Sequence, residues 1–145
     1  MKLLDNDKML SEVVSLIDDG HSVTITVRGI SMRPLLRDLK DKVILEAYNK
    51  KEELRPMDVV LFRYNDKYLL HRIIKREGDD LLIKGDGNLF SSETAKVSDV
   101  KAIVKCVIRG SSKQVKCSSL GYKIVSGVWV MMPRIMKRVY FKLWK

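Results

Sequence analysis

Asp58-Val59-Val60-Leu61-Phe62-Arg63-Tyr64, then Asn65-Asp66-Lys67, then Tyr68-Leu69-Leu70-His71-Arg72-Ile73-Ile74, sets the architecture of the chain. Two runs rich in β-branched, aromatic and aliphatic residues flank three turn-formers, which is the signal of a β-hairpin. The pattern repeats on both sides. Upstream, Val23-Thr24-Ile25-Thr26-Val27 alternates as a half-buried strand, and Lys42 to Tyr48 is a second short apolar run. Downstream, Gly78-Asp79-Asp80 turns the chain into Leu81-Leu82-Ile83-Lys84. Lys101 to Arg109 and Gln114 to Cys117 make a last hairpin around Gly110-Ser111-Ser112. Strands this frequent, joined by short polar turns, predict a mainly β fold: a curled antiparallel ribbon or partial barrel spanning residues 22–118.

Helical spacing brackets these strands. Met9, Leu10, Val13, Val14, Leu16 and Ile17 recur at helical spacing over 6–19, with Asp5 or Asn6 as N-cap and Gly20 as C-cap. Residues 1–21 therefore form an amphipathic N-terminal helix that packs on the sheet. Lys50 to Pro56 reads as a charged loop. Residues 119–145 form a basic, aromatic C-terminal segment of helical pattern, which Pro133 kinks or divides.

Charge is unevenly distributed. The 145 residues carry a formal +10, yet residues 1–100 hold 17 Lys and Arg against 18 Asp and Glu. Residues 101–145 hold 11 basic residues and no acid, so the tail carries the whole excess. A one-sided basic segment implies an anionic partner. Met, Trp, Tyr and Phe interleaved with cations suit a helix lying on an anionic membrane surface. Docking of the same segment on its own domain is an equally open reading. Nucleic acid is disfavoured, because a stacking groove needs spaced, exposed aromatics. Acids interrupt Met1-Lys2-Leu3-Leu4-Asp5-Asn6-Asp7 before any signal-peptide core, and no run reaches the roughly 18 apolar residues of a spanning helix. The expected location is the cytoplasm, peripheral on the inner face of the membrane. Cys106 and Cys117 are the only cysteines and are read as reduced, buried thiols.

Metal and P-loop chemistry find little footing. The two histidines, His21 and His71, stand in no ligand cluster, and Gly85-Asp86-Gly87-Asn88 lacks the Lys-Ser/Thr of a phosphate loop. No cofactor is expected. Hydroxyl chemistry remains. Ser31 lies where a strand stops, between Gly29, which accepts unusual backbone angles, and Pro34, which cannot continue a ladder. Taken singly, Ser31 is a turn residue, His71 a core histidine and Asp86 a turn acid bonding its own backbone.

Taken together, three boxes occur in order. Gly29-Ile30-Ser31-Met32-Arg33-Pro34 resembles the nucleophile box of the signal peptidase I and LexA-like serine peptidases. Pro56 to Arg63 followed by Leu70-His71-Arg72-Ile73-Ile74 resembles their second box, and Lys84-Gly85-Asp86-Gly87-Asn88 the third. The resemblance covers residues 22–88 and extends through the strands to about 109. Where many members carry Lys, this chain has His71, as in the endoplasmic-reticulum-type signal peptidases. The resemblance implies a LexA/signal-peptidase-type β fold and a serine endopeptidase that cleaves a leader or precursor peptide after small residues. Ser31 would be the nucleophile, His71 the general base, and Asp86 the group orienting the imidazole. Gly29, Met32 and Pro34 would shape the oxyanion and substrate side, with the Ser31 amide as a donor. A further acid is expected past the third box; Glu93 is nearby but unassigned. The family's signal peptidases carry an N-terminal membrane anchor, which 1–21 does not resemble. A LexA-like regulator is disfavoured, since 1–21 has room for one helix and no Ala-Gly or Cys-Gly cleavage dipeptide occurs. The alternative function is a non-catalytic β module of the same fold, binding an extended peptide by strand addition.

Overall fold

Hydrophobic patterning becomes an open antiparallel sheet in the computed structural model, which describes residues 6–48, 54–110 and 113–143. The order is α1 (Asn6–Asp18), β1 (Val23–Thr26), β2 (Asp41–Ala47), β3 (Val59–Tyr64), β4 (Lys67–Glu77), β5 (Asp80–Lys84) and β6 (Glu93–Lys96). A 3₁₀ turn (Val97–Asp99) leads to β7 (Val100–Arg109), β8 (Lys113–Lys116), α2 (Leu120–Met131) and α3 (Arg134–Leu143). The mainly β expectation holds, with helices at both ends, and the sheet does not close. The expected N-cap Asp5, most of the charged loop after Lys50, and the turn residues Ser111 and Ser112 lie outside the described residues.

Strands run in the order β1-β2-β7-β3-β4-β5-β6. The ten-residue β7 pairs with β2 along one edge; its other edge is shared, Val100–Ile103 facing β3 and Cys106–Arg109 facing β8. The β3–β4 hairpin closes through Asn65 and Asp66, both at positive φ (48° and 63°), the backbone that a two-residue hairpin turn requires. Register shifts at Ile44/Leu45, Leu61/Phe62 and Ile73/Lys75 bend the sheet.

β3 explains why its sequence does not alternate. Val59 and Leu61 enter one core with α1, β1, β2 and β7, while Val60 and Phe62 enter a second with Ile73, Leu81 and Ile83. A strand buried on both faces reads as a continuous apolar run. Pro133 divides the C-terminal helical segment as its missing N–H dictates. β6 was not foreseen: Glu93-Thr94-Ala95-Lys96 carries almost no apolar signal and is a strand because β5 pairs with it. Cys106 and Cys117 are both free but only half-buried, against the expected burial, because both lie at the β7–β8 edge.

Candidate active site

The Ser31 turn is held from below by one buried acid. Gly29 adopts φ +87° and donates its N–H to Asp38 Oδ1 at 2.8 Å, so its amide is already engaged. The chain then turns tightly, with Leu36 N donating to Met32 O at 2.9 Å, and the Arg33–Pro34 peptide is cis. Asp41, buried at the head of β2, accepts from Arg37 N (2.8 Å), Arg37 Nη2 (2.8 Å) and Arg109 Nη1 (3.0 Å). Arg109 also donates to Leu35 O. Burial pushes the Asp41 carboxyl up, but the Arg37 hydrogen bonds and the two guanidinium charges outweigh it and hold it below the usual range. Met32 is buried beneath the turn, as its apolar side chain demands.

The third box packs backbone to backbone against this turn. Gly87 N donates to Ser31 O at 2.8 Å, and Asp86 N lies 3.4 Å from Met32 Sδ. A Cβ on Gly85 would stand 2.5 Å from Ser31 O and 3.1 Å from His71 Cδ2; one on Gly87 would stand 2.6 Å from Ile30 O. Both glycines are therefore required by close approach. Gly85→Ala is expected to cost about 1–3 kcal/mol in urea unfolding, because the atom it strikes is backbone and cannot step aside. Wild-type stability in that variant would show that Gly85 does not approach the Ser31 carbonyl this closely.

His71 is buried on β4, its ring 6.1 Å from that of Phe62. Its Nδ1 is paired with Glu93 Oε1 of β6. The absence of a side chain at Gly85 leaves room for the imidazole beside β5. An Nδ1–H donated to a carboxylate leaves Nε2 as the basic nitrogen and fixes the tautomer. Ser31 and His71 line one pocket of about 100 Å³, walled by Ile25 to Arg28 on one side and Tyr68 to Leu70 on the other. Among the described residues no hydrogen bond joins Ser31 Oγ to the imidazole, and none is donated by the Ser31 amide.

Asp86 is placed differently from expectation. Its carboxylate is taken by Arg72, whose Nε donates to Oδ1 at 2.9 Å and Nη2 to Oδ2 at 2.8 Å, both side chains essentially without solvent contact. Arg72 Nη1 completes the arrangement on Met57 O at 2.9 Å. Burial pushes the guanidinium pKa down, but the hydrogen bonds and charge of Asp86 outweigh it, and the net direction is up. Orientation of His71 thus falls to Glu93 in place of Asp86. The physical reason is strand alternation: His71 and Arg72 are neighbours pointing to opposite faces, and each meets the acid on its own side. Arg72 was missed by sequence reasoning, although a charge between Leu70 and Ile73 in a buried strand demands a partner.

α2 closes over this ion pair. Tyr122 places its ring 5.9 Å from the Arg72 guanidinium, and Trp129 Nε1 donates to Asp86 O at 2.8 Å. Among the described residues, no three His, Cys, Asp or Glu side chains gather where a metal ion could sit. Compared with protein-family models and with curated proteins, the chain matches none.

Proposed function

We propose that the protein is a serine endopeptidase of the signal-peptidase-like kind, cleaving a leader or precursor peptide. The observation that carries this reading is the buried His71–Glu93 pair at the rim of the pocket that also holds Ser31. Ser31 Oγ attacks the scissile carbonyl while His71 Nε2 takes its proton, and Glu93 stabilises the imidazolium that forms. His71 then returns the proton to the leaving amine, and water repeats the sequence to release the acyl group. The open Ser31 amide is the first oxyanion donor. β1 is an edge strand that runs towards Ser31, so an extended substrate can add to it, and a pocket of about 100 Å³ admits a small side chain.

The second reading, a β module that binds a peptide without cutting it, is favoured by one observation: Ser31 Oγ and His71 share a pocket without a hydrogen bond. Comparing protein N-termini in cells expressing wild type and Ser31→Ala separates the two. Precursor accumulation in the variant is expected; identical N-termini would leave the binding module as the better account.

A further inference from the structure

The helices that cover the ion pair turn an apolar face outward. Tyr122, Ser126 and Trp129, at i, i+4 and i+7, dock α2 on the protein. On its other side stand Leu120, Ile124, Val125, Val128 and Met131, with Val128 60% and Met131 85% exposed. α3 continues the face with Ile135, Met136, Val139 and Leu143, all exposed. A helix that merely finishes a domain shows water its polar side. Nine of the thirteen exposed large apolar side chains among the described residues lie on this one hairpin, and a patch of that kind marks an interaction surface.

Charge selects the occupant. Lys123, Arg134, Arg138 and Lys142 are exposed on the same two helices, and residues 101–145 contain no acid to offset them. A second copy docked symmetrically would bring two cationic rims together. Stacking on nucleic acid needs free rings, yet Trp129 packs against Tyr140 and Phe141 at centroid distances of 5.3 and 5.5 Å. We propose that the α2–α3 hairpin docks on an anionic phospholipid bilayer, its outer apolar residues in the acyl boundary and its cations among the headgroups. It lies on the bilayer, since no helix among the described residues is long and apolar enough to cross one. A groove of about 420 Å³ between Pro34, Leu35, Trp129 and Tyr140 borders this face through Val125 and Val128, which line both.

Docking there has a consequence for the cleft. The hairpin is fastened to the Gly85–Asn88 loop through Trp129 and to the Ser31 turn through Phe141, whose ring lies 5.3 Å from the Arg33 guanidinium. A chain seated on lipid therefore holds the Ser31–His71 pocket close to the bilayer surface. The inference stands on residues that the peptidase reading does not use.

Sedimentation of the full chain with phosphatidylcholine vesicles, with and without phosphatidylglycerol, tests it. Binding only to the phosphatidylglycerol vesicles is expected, with a loss of tenfold or more in Val128→Asp/Met131→Asp and of about fivefold for each cation removed in Lys123→Gln/Lys142→Gln. Both pairs are exposed, and thermal unfolding unchanged from wild type establishes that the variants fold. Wild-type binding by the Asp variant, or no sedimentation with either vesicle, would overturn the proposal. So would a dimer in ultracentrifugation that the Asp variant dissolves, which assigns the face to a second copy. Ser31→Ala is expected to bind like wild type, so the failure of either proposal is visible without the other.

Discussion

Ser31→Ala and Glu93→Gln are expected to lose turnover in two unequal steps, about 10⁶-fold and about 10⁴-fold, with Tm nearly unchanged in both. On the peptidase reading the first removes the nucleophile. The second works through the imidazole. On the peptidase reading Glu93 accepts from an Nδ1–H of the paired imidazole, which would keep Nε2 free to take the Ser31 proton. A glutamine amide can instead donate to Nδ1, and the proton then sits on Nε2, where it blocks the base. Gln also carries no charge to stabilise the imidazolium, and 10⁴-fold corresponds to about 5.5 kcal/mol of transition-state stabilisation. Stability is spared because Gln keeps a hydrogen bond and a similar shape at an edge strand. The measurement is kcat/KM on a peptide spanning a site found by the N-terminal comparison. Turnover of Glu93→Gln within tenfold of wild type would remove Glu93 from the mechanism. The double variant is expected to fall no further than Ser31→Ala, because residues acting as one unit are not additive.

What could be read from the chain divides by range. The β3–β4 hairpin was legible because its determinants are local: two apolar runs and an Asn-Asp turn at positive φ. α1 and the break at Pro133 were legible for the same reason. β6 was not, because its strand character comes from pairing with β5 and not from its own residues. Ser31 and His71 stood out through ordered boxes, but the choice between Asp86 and Glu93 did not. That choice depends on the register of β4, β5 and β6 and on which face each neighbour uses, quantities that a spacing of seven residues does not contain. The C-terminal hairpin shows the same limit. Its period announces two faces, yet which of them docks is settled only where Trp129 finds Asp86 O and Tyr122 finds Arg72.

Asp86→Asn is expected to cost about 3–5 kcal/mol of folding stability, the largest loss of any single substitution considered, because it strands Arg72. The guanidinium has no solvent contact, and of its three hydrogen bonds to described residues two go to the Asp86 carboxylate. Asn is nearly isosteric but neutral and offers one acceptor where Arg72 uses two. The remaining bond to Met57 O cannot balance a buried cation. The damage spreads, since α2 rests on both partners through Tyr122 and Trp129. A double replacement, Arg72→Leu/Asp86→Leu, separates charge from packing. It removes both ions together, leaves Met57 O as the main unpaired group, and is expected to be more stable than Asp86→Asn. Urea unfolding of the three proteins reads the coupling directly. Should Asp86→Asn instead fold within about 1 kcal/mol of wild type and lose turnover as Glu93→Gln does, Asp86 would return to the catalytic role that its position in the third box suggests, and Arg72 would be a bystander. The geometry favours the opposite outcome: both oxygens of the Asp86 carboxylate are engaged by Arg72, Gly85 and Gly87 pack against the Ile30–Ser31 backbone, and the His71 imidazole is paired with Glu93.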